Sequence, residues 1–559
     1  MPHVSGPVGV GSAGKTASAE GLCAVRRCVT FGAMSEAPHI PTVDEVKELD
    51  FTSDAVEETA HLQRHFGRRE ILLFTICTLV GVDSIGAIAS SGAEAFSWLI
   101  ILGVVFFIPS GLLFAELGTA FPEEGGPYLW ARLAFGRFVG AVNNFLYWIT
   151  NPVWFGGTLA TLSIATYEIF FNDGNTLSTW AFYLFGLVFI WIGTFSAILS
   201  FSVGKWIPIS GAYARFLLLG FFTFSVVVFA IKNGVNGVGA GDFAISYPGF
   251  VALLGLILFG LVGFELPNTA GDEMKDSQND VPYSILRSAI FAILLYGVPV
   301  LGILVVLPTD QVTNLGGFID AIKAVFTIYG GSIASDGTAT LTGAGAVLGG
   351  LAAILFILCA LSSGTTWIMG SDRALAVSGY DGAAPRYLGR FNERFGTPVR
   401  VNVLSGLVAT AVLVLVHEIS DGDVAKYFLA ILGIAVSTTL ISYVGVFPAL
   451  WRLRVKFPDH PRSFRAPWAP FLSIWLTILV VLASVQLVAP GLGTDWFGDD
   501  FRPDGWAADE KWTYFLTEAI PLAVFVGLGA LFYVLGAPTR RDRGNVAVHA
   551  AEEQAAAAD

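Results

Sequence analysis

The chain has 559 residues, of which 54% are hydrophobic and only 13% are charged. Soluble globular proteins carry about 25% charged residues, so this composition excludes an ordinary soluble domain. The formal net charge of −13 comes from acids in polar loops and tails, so it says little about a partner. We expect no nucleic-acid partner.

The first 66 residues are polar and rich in small side chains, which predicts a disordered cytoplasmic tail. A bilayer core needs about 20 apolar residues per helix, and this length divides the remainder into twelve spans of an all-α integral membrane protein. Spans 1 to 12 are predicted at 71–92, 96–121, 138–170, 180–201, 207–231, 250–270, 285–307, 346–369, 401–416, 427–450, 471–488 and 514–535.

Three further segments complete the predicted organisation. Residues 315–329 are too polar to cross and predict a short helix covering one face. Residues 67–450 form the predicted core of ten helices, and 451–537 hold an inner loop and spans 11 and 12. Residues 538–559 form a second cytoplasmic tail. Lysine and arginine are concentrated in alternate loops, which predicts a multi-pass plasma membrane protein with both termini in the cytoplasm.

Two spans contain residues that disfavour a regular helix. Span 1 places Gly81 and Gly86 around Asp83, and span 6 runs from Phe259 through two glycines to Glu265 and a proline. Glycine costs about 1 kcal/mol in a helix relative to alanine, and proline about 3. We therefore expect both spans to unwind and to point half-helix dipoles at a common site. The two breaks are five spans apart, as expected for two inverted repeats of five helices. The alternative is that the glycines serve close helix packing.

Asp83 is the sharpest single signal, because an ionisable side chain in mid-membrane is costly unless it faces protein or water. It is predicted to bind a substrate ammonium or a coupling cation, or to carry a coupled proton. The alternative role is a cap for the half-helix that follows the break.

Several motifs in this order resemble the amino acid–polyamine–organocation superfamily, over about residues 68–467. They read FAELGTAFPEEGGPYLW at 114–130, GFE at 263–265, GDEMKD at 271–276, DGAAP at 381–385, FGTPV at 395–399 and RSFRAP at 462–467. The resemblance implies a core of five plus five inverted-repeat helices with helices 1 and 6 broken, followed by two more helices. It also implies secondary active transport of amino acids or related amines by alternating access.

The same resemblance implies a substrate site at the two breaks. The residues matching it are Asp83, Ser84, Ile85, Gly86, Ala87, Phe259, Gly260, Leu261, Gly263 and Trp367. Phe259 resembles the family's aromatic gate, Glu265 an acid that gates or couples protons, and Trp148 and Trp154 are further candidates. Coupling would use a proton or exchange, with sodium as the alternative. Ser362 and Ser363 match hydroxyls that ligate sodium in relatives, and Arg215 is expected to snorkel to the cytoplasmic face.

One departure bears on the substrate. The family's usual Gly-Ser-Gly in span 1 reads Ile85-Gly86-Ala87 here and is preceded by Asp83. This gives weight to a polyamine or another cationic amine as the transported molecule. A nutrient sensor built on a transporter scaffold is the alternative of another class.

Catalytic and metal sites find no support in the sequence. The seven histidines are scattered, and the four cysteines lack the paired spacing of a zinc site. A phosphate-binding glycine loop with its lysine is missing as well. We therefore expect no enzyme, no cofactor and no metal. The acids and arginines of the 114–137 region are expected to pair with Asp372, Arg373 or Arg386 across the inner loops, except that a solvated loop is favoured for Glu124.

Overall fold

The computed structural model describes residues 67–199, 201–235, 238–307, 317–334, 337–420, 424–489 and 510–541, and these are almost entirely helical. The predicted N-terminal tail and most of the C-terminal tail lie outside them. In chain order the helices are α1 Arg68–Leu79, α2 Val82–Ser90, α3 Ala93–Leu102, α4 Ile108–Ala120, α5 Pro127–Phe135, α6 Arg137–Trp154, α7 Ala160–Phe171, α8 Thr179–Ile198, α9 Phe201–Gly204, α10 Trp206–Asn233, α11 Tyr247–Gly260, α12 Ser277–Val306, α13 Gly317–Phe326, α14 Gly343–Tyr380, α15 Val399–Ser420, α16 Val424–Val446, α17 Ala449–Lys456, α18 Ala469–Val488 and α19 Lys511–Leu535.

Ten segments of the described chain are long and apolar enough to cross a membrane. They correspond to all the predicted spans except the third and the sixth. The third is α6 and α7, joined by a π-helical turn at Phe155–Leu159. The sixth is the shorter α11, which ends at its break. The all-α membrane architecture predicted from the sequence is therefore confirmed.

The first span is interrupted at Val80 and Gly81, which separate α1 from α2. Their ψ angles of 87° and 119° are far from helical values. The break is therefore shorter than the predicted stretch from Gly81 to Gly86, and it begins one residue earlier. Asp83 lies in the first turn of α2, where a carboxylate interacts favourably with the helix dipole.

The sixth span breaks where the sequence predicted. Helix α11 ends at Gly260, and Gly263 adopts a φ of 129° that favours glycine. A Cβ at Gly263 would lie 2.7 Å from Cγ2 of Thr78 in α1 and 3.2 Å from the indole of Trp367 in α14. A 3-10 segment, Leu266–Glu273, follows the break. The two interrupted helices are thus in contact at this glycine.

Helix α14 is 38 residues long and continues well past the predicted end of span 8 at residue 369. Its polar C-terminal segment stays helical because neighbouring helices form hydrogen bonds with its charged side chains. Oδ1 of the buried Asp372 accepts hydrogen bonds from Trp148 Nε1 at 2.9 Å and Ser405 Oγ at 2.6 Å, and Oδ2 accepts one from Asn402 Nδ2 at 2.7 Å. This carboxylate therefore joins α14 to α6 and α15.

Buried ion pairs join the loops at the same end of the bundle. Glu124 is buried and pairs with Arg373 at 2.6 Å, although a solvated loop was the favoured prediction for this acid. Arg132 and Arg137 instead pair with Asp381, at 3.0 and 3.1 Å. A further cluster joins the C-terminal half of α4 to the segment after α16, where Glu116 accepts a hydrogen bond from Arg454 and forms an ion pair with Arg462 at 3.2 Å. The predicted Asp372 pairing is therefore wrong, because Asp372 is occupied by neutral donors.

The short helix predicted at 315–329 is confirmed as α13, which packs against α2, α10 and α14. It leads into a small antiparallel hairpin of strands β1 Gly331–Ile333 and β2 Ala339–Leu341, which the sequence did not predict. The contact with α2 depends on Gly86, because a Cβ there would lie 2.8 Å from the backbone nitrogen of Phe318.

We predict that Gly86→Ala lowers the thermal unfolding midpoint in detergent, because the added methyl group overpacks the contact with α13 at a cost of about 1–3 kcal/mol. The matched control is Gly220→Ala in α10, where a Cβ meets no atom within 4 Å. The control is expected to leave the midpoint unchanged or raised. An unchanged midpoint for Gly86→Ala would show that this contact relaxes freely.

Candidate substrate site

A small cavity lies where the two broken helices face α6, α12, α14 and α16. Its volume is about 20 Å³, room for about one water molecule. Its walls comprise Thr78, Leu79, Gly81, Asp83, Ser84, Thr150, Asn151, Trp154, Phe259, Gly260, Val262, Tyr296, Trp367 and Thr439. A substrate larger than water therefore requires the walls to separate.

Asp83 is the acidic residue of this cavity and is buried. Its Oδ2 accepts a hydrogen bond from Trp154 Nε1 at 3.0 Å. Its Oδ1 is also buried but has no hydrogen-bond partner among the described residues. Buried polar atoms are nearly always paired, so this oxygen has the capacity to accept a donor from a bound ligand.

The backbone of the first break is held from α12. The hydroxyl of Tyr296 accepts a hydrogen bond from the Gly81 nitrogen at 2.8 Å. A Cβ at Gly81 would lie 2.7 Å from Oδ1 of Asp83 and 3.4 Å from the Tyr296 hydroxyl. The glycine therefore permits the carboxylate and the phenol to approach the open backbone together.

Aromatic rings form another part of the cavity walls. Trp154 and Phe259 meet edge to face with their ring centroids 6.0 Å apart. Trp367 of α14 donates from its indole nitrogen to the Thr78 carbonyl at 3.2 Å. Such rings attract organic cations and also pack against aliphatic chains.

Arg215 of α10 is completely buried, so the prediction that it snorkels to the surface is wrong. Its Nε donates to the Val80 carbonyl at 2.7 Å, and its terminal nitrogens donate to the carbonyls of Gly211 and Cys359. The hydroxyls of Ser362 and Ser363 accept the remaining bonds. The guanidinium thus occupies the space between the first break and the two serines that matched a sodium site.

Glu265 follows the second break and is fully buried. Its Oε1 accepts a hydrogen bond from the Tyr147 hydroxyl at 3.1 Å, and the Tyr443 hydroxyl faces the same carboxyl group. The Tyr147 ring lies 6.3 Å from that of Trp367. The Tyr147 ring therefore lies between this carboxyl group and the cavity residue Trp367.

The structure brings about half of the predicted substrate residues together. Asp83, Ser84, Phe259, Gly260 and Trp367 line the cavity. The others predicted at the breaks do not line it: Ile85, Gly86, Ala87, Leu261 and Gly263. The first three are helical residues of α2, and Gly263 serves the contact with Thr78 and Trp367.

Several cavity residues were missed by the sequence analysis. Tyr296 and Asn151 are polar groups within otherwise apolar spans, and this could have identified them. Thr150, Thr439 and Thr78 carried no comparable signal, because threonine in a membrane helix commonly bonds to its own backbone. Of the two candidate tryptophans in span 3, Trp154 lines the cavity and Trp148 binds Asp372.

Comparison with known proteins places these features in a family. The model of the amino acid permease family matches residues 66–498. An uncharacterized transporter of Legionella pneumophila is 30% identical over 71% of this chain and 83% of its own length. The probable agmatine/putrescine antiporter AguD of Lactococcus lactis is 26% identical over 75% of this chain and 86% of its own length.

A third relative is the probable threonine/serine transporter YbxG of Bacillus subtilis, 24% identical over 79% of this chain and 91% of its own length. The matched region spans both broken helices and the cavity between them. The chain therefore belongs to the amino acid permease family, within the amino acid–polyamine–organocation superfamily, and is a secondary transporter of amino acids or related amines.

Proposed function

We propose that the transported molecule is a cationic amine whose ammonium group binds Oδ1 of Asp83. The observation that carries the proposal is the buried, unpaired oxygen of this carboxylate in the cavity between the broken helices. A buried carboxylate oxygen that lacks a hydrogen-bond donor is costly. A ligand ammonium supplies both the missing donor and the opposite charge.

Two further observations support a cationic substrate. The rings of Trp154, Phe259 and Trp367 line the same cavity as the carboxylate, and aromatic rings stabilise desolvated ammonium groups. One relative is a probable agmatine/putrescine antiporter, and both of those molecules carry cationic nitrogen. The carbonyl end of α1 is already occupied by Arg215, which leaves Asp83 as the acceptor for a ligand cation.

A neutral amino acid is the second candidate. It is favoured by the N-terminus of α2, because the free N–H groups of a helix start can bind a carboxylate, and by the probable threonine/serine transporter among the relatives. Contacts of substrate with Ile85, Gly86 and Ala87 would require α2 to unwind further than it does here.

We propose that transport proceeds by alternating access, driven by exchange or by a proton, and that it does not use sodium. The support is the position of the Arg215 guanidinium, whose donors fill the acceptors that a sodium ion would need. The proposed setting is the plasma membrane with both termini in the cytoplasm, as the positive-inside rule indicates. No catalytic role is proposed.

We expect Asp83→Asn to weaken amine binding at least about 30-fold, because removing one member of a buried charge pair costs about 2 kcal/mol or more. The measurement is uptake of labelled putrescine, agmatine and threonine into proteoliposomes, together with binding in detergent. Glu518→Gln is the matched control, because Glu518 is a buried acid of α19 that does not line the cavity.

Two results would contradict the assignment. One is unchanged putrescine and agmatine uptake by Asp83→Asn. The other is wild-type uptake of threonine with no competition by either amine, which would favour the amino acid alternative.

For Arg215, we expect Arg215→Met to abolish uptake, because five buried acceptors lose their donors. Arg215→Lys keeps the charge with fewer donors and should retain part of the activity. Wild-type uptake should be the same when external sodium is replaced by choline. A requirement for sodium in the wild type would overturn the proposed coupling.

For Glu265, we propose that its carboxyl group binds and releases the coupled proton during the alternating-access cycle. Glu265→Gln preserves the shape and the bond from Tyr147 but cannot take up a proton. Uptake is measured between pH 5 and 8. Over this range, uptake by the variant should vary less with pH than uptake by the wild type. A pH profile identical to the wild type would assign Glu265 a purely structural role.

A further inference from the structure

A second cavity lies at the end of the bundle that holds the buried ion pairs, away from the substrate site. It is an open groove of about 430 Å³ between the end of α14 and the start of α15. Its walls comprise Arg390, Phe391, Asn392, Glu393, Arg394, Val399 and Arg400. We call it the basic groove. The transport mechanism uses none of these residues.

The charge of the basic groove suits an anion. Its lining holds three arginines and one glutamate, a net charge of +2. Arg390 and Arg394 are exposed. Arg400 is fixed, because it lies over the ring of Tyr387 at 4.1 Å and donates to the Tyr387 carbonyl at 2.9 Å. Guanidinium groups bind phosphate through paired donors, so a phosphate group fits this lining.

The surface that continues from the groove is apolar. Arg400, Leu407 and Val414 are spaced by seven residues and share one face of α15. Leu407 and Val414 are exposed, as is the neighbouring Leu415. Because a helix rises 1.5 Å per residue, Leu407 lies about 10 Å along the helix from Arg400, and Val414 lies about 21 Å from it. Tyr387 is also exposed there, as aromatic residues at membrane interfaces often are.

We propose that the basic groove binds the phosphate of an anionic phospholipid, whose acyl chains lie along the exposed face of α15. A soluble phosphate would gain from the arginines alone, whereas a lipid also covers Leu407 and Val414. The joined basic and apolar surfaces therefore favour a lipid. Basic residues near a membrane attract anionic lipid generally, and the test must separate this groove from that background.

The experiment is native mass spectrometry of the full chain, released from detergent after titration with phosphatidylglycerol or phosphatidylcholine. The wild type is expected to retain phosphatidylglycerol preferentially. The double variant Arg390→Gln with Arg394→Gln should lose about tenfold in apparent affinity for it. The control Arg452→Gln with Arg465→Gln removes two exposed charges elsewhere, and it should retain the preference.

Three results would overturn the proposal. The wild type could fail to prefer phosphatidylglycerol, or both double variants could lose it equally, which would indicate general surface charge. Displacement of the lipid by glycerol 3-phosphate at a similar concentration would indicate a site for soluble anions. The single variants Arg390→Gln and Arg394→Gln guard against misfolding of the double variant, and each should show a partial loss while the unfolding midpoint stays unchanged.

Discussion

The hydrogen bond from the Arg215 guanidinium to the Val80 carbonyl supports the interrupted backbone on which the site depends. Inside a bilayer, a carbonyl released from its helix must find a donor within the protein. Arg215 supplies that donor and at the same time binds Cys359, Ser362 and Ser363 of α14. One side chain therefore stabilises the break and fixes its position against the longest helix of the bundle.

This arrangement separates the two kinds of polar group at the break. The carbonyl end of α1 is satisfied by cationic and indole donors, from Arg215 and Trp367. The opposite end carries Asp83, whose Oδ1 has no partner among the described residues. The protein thus supplies its own cation on one side of the break and leaves an anion on the other. We propose that a ligand of positive charge binds there.

The sequence was most informative at residues whose placement in a membrane costs the most free energy. The apolar lengths predicted the spans, and the glycines with nearby acids predicted both breaks. The C-terminal end of α14 could not be predicted from hydropathy. Its polar last turns stay helical because Asp372 and Arg373 bind partners from other segments. The role of Arg215 also escaped prediction. The residues around Arg215 are compatible with a snorkelling side chain and with a buried one. Only its hydrogen-bond acceptors in α1 and α14 show that it is buried.

The site shows the same limit. The cost of a charge in mid-membrane identified Asp83, and the family resemblance identified Phe259 and Trp367, as cavity residues. The predicted Ile85, Gly86 and Ala87 instead remain in a regular helix. A glycine-rich stretch indicates where a helix can open but does not say which peptide does so. Here the Tyr296 hydroxyl holds the Gly81 nitrogen, a contact made by a residue more than 200 positions away in the chain.

The burial of Arg215 has a consequence for biosynthesis. An arginine at the centre of an isolated membrane helix costs about 2.5–3.5 kcal/mol on insertion. Its acceptor Val80 is already synthesised when α10 emerges, but Cys359, Ser362 and Ser363 follow only some 144 to 148 residues later. During that interval the guanidinium of α10 lacks three of its five final acceptors. We therefore expect α10 to stay near water or the insertion machinery until α14 has been synthesised.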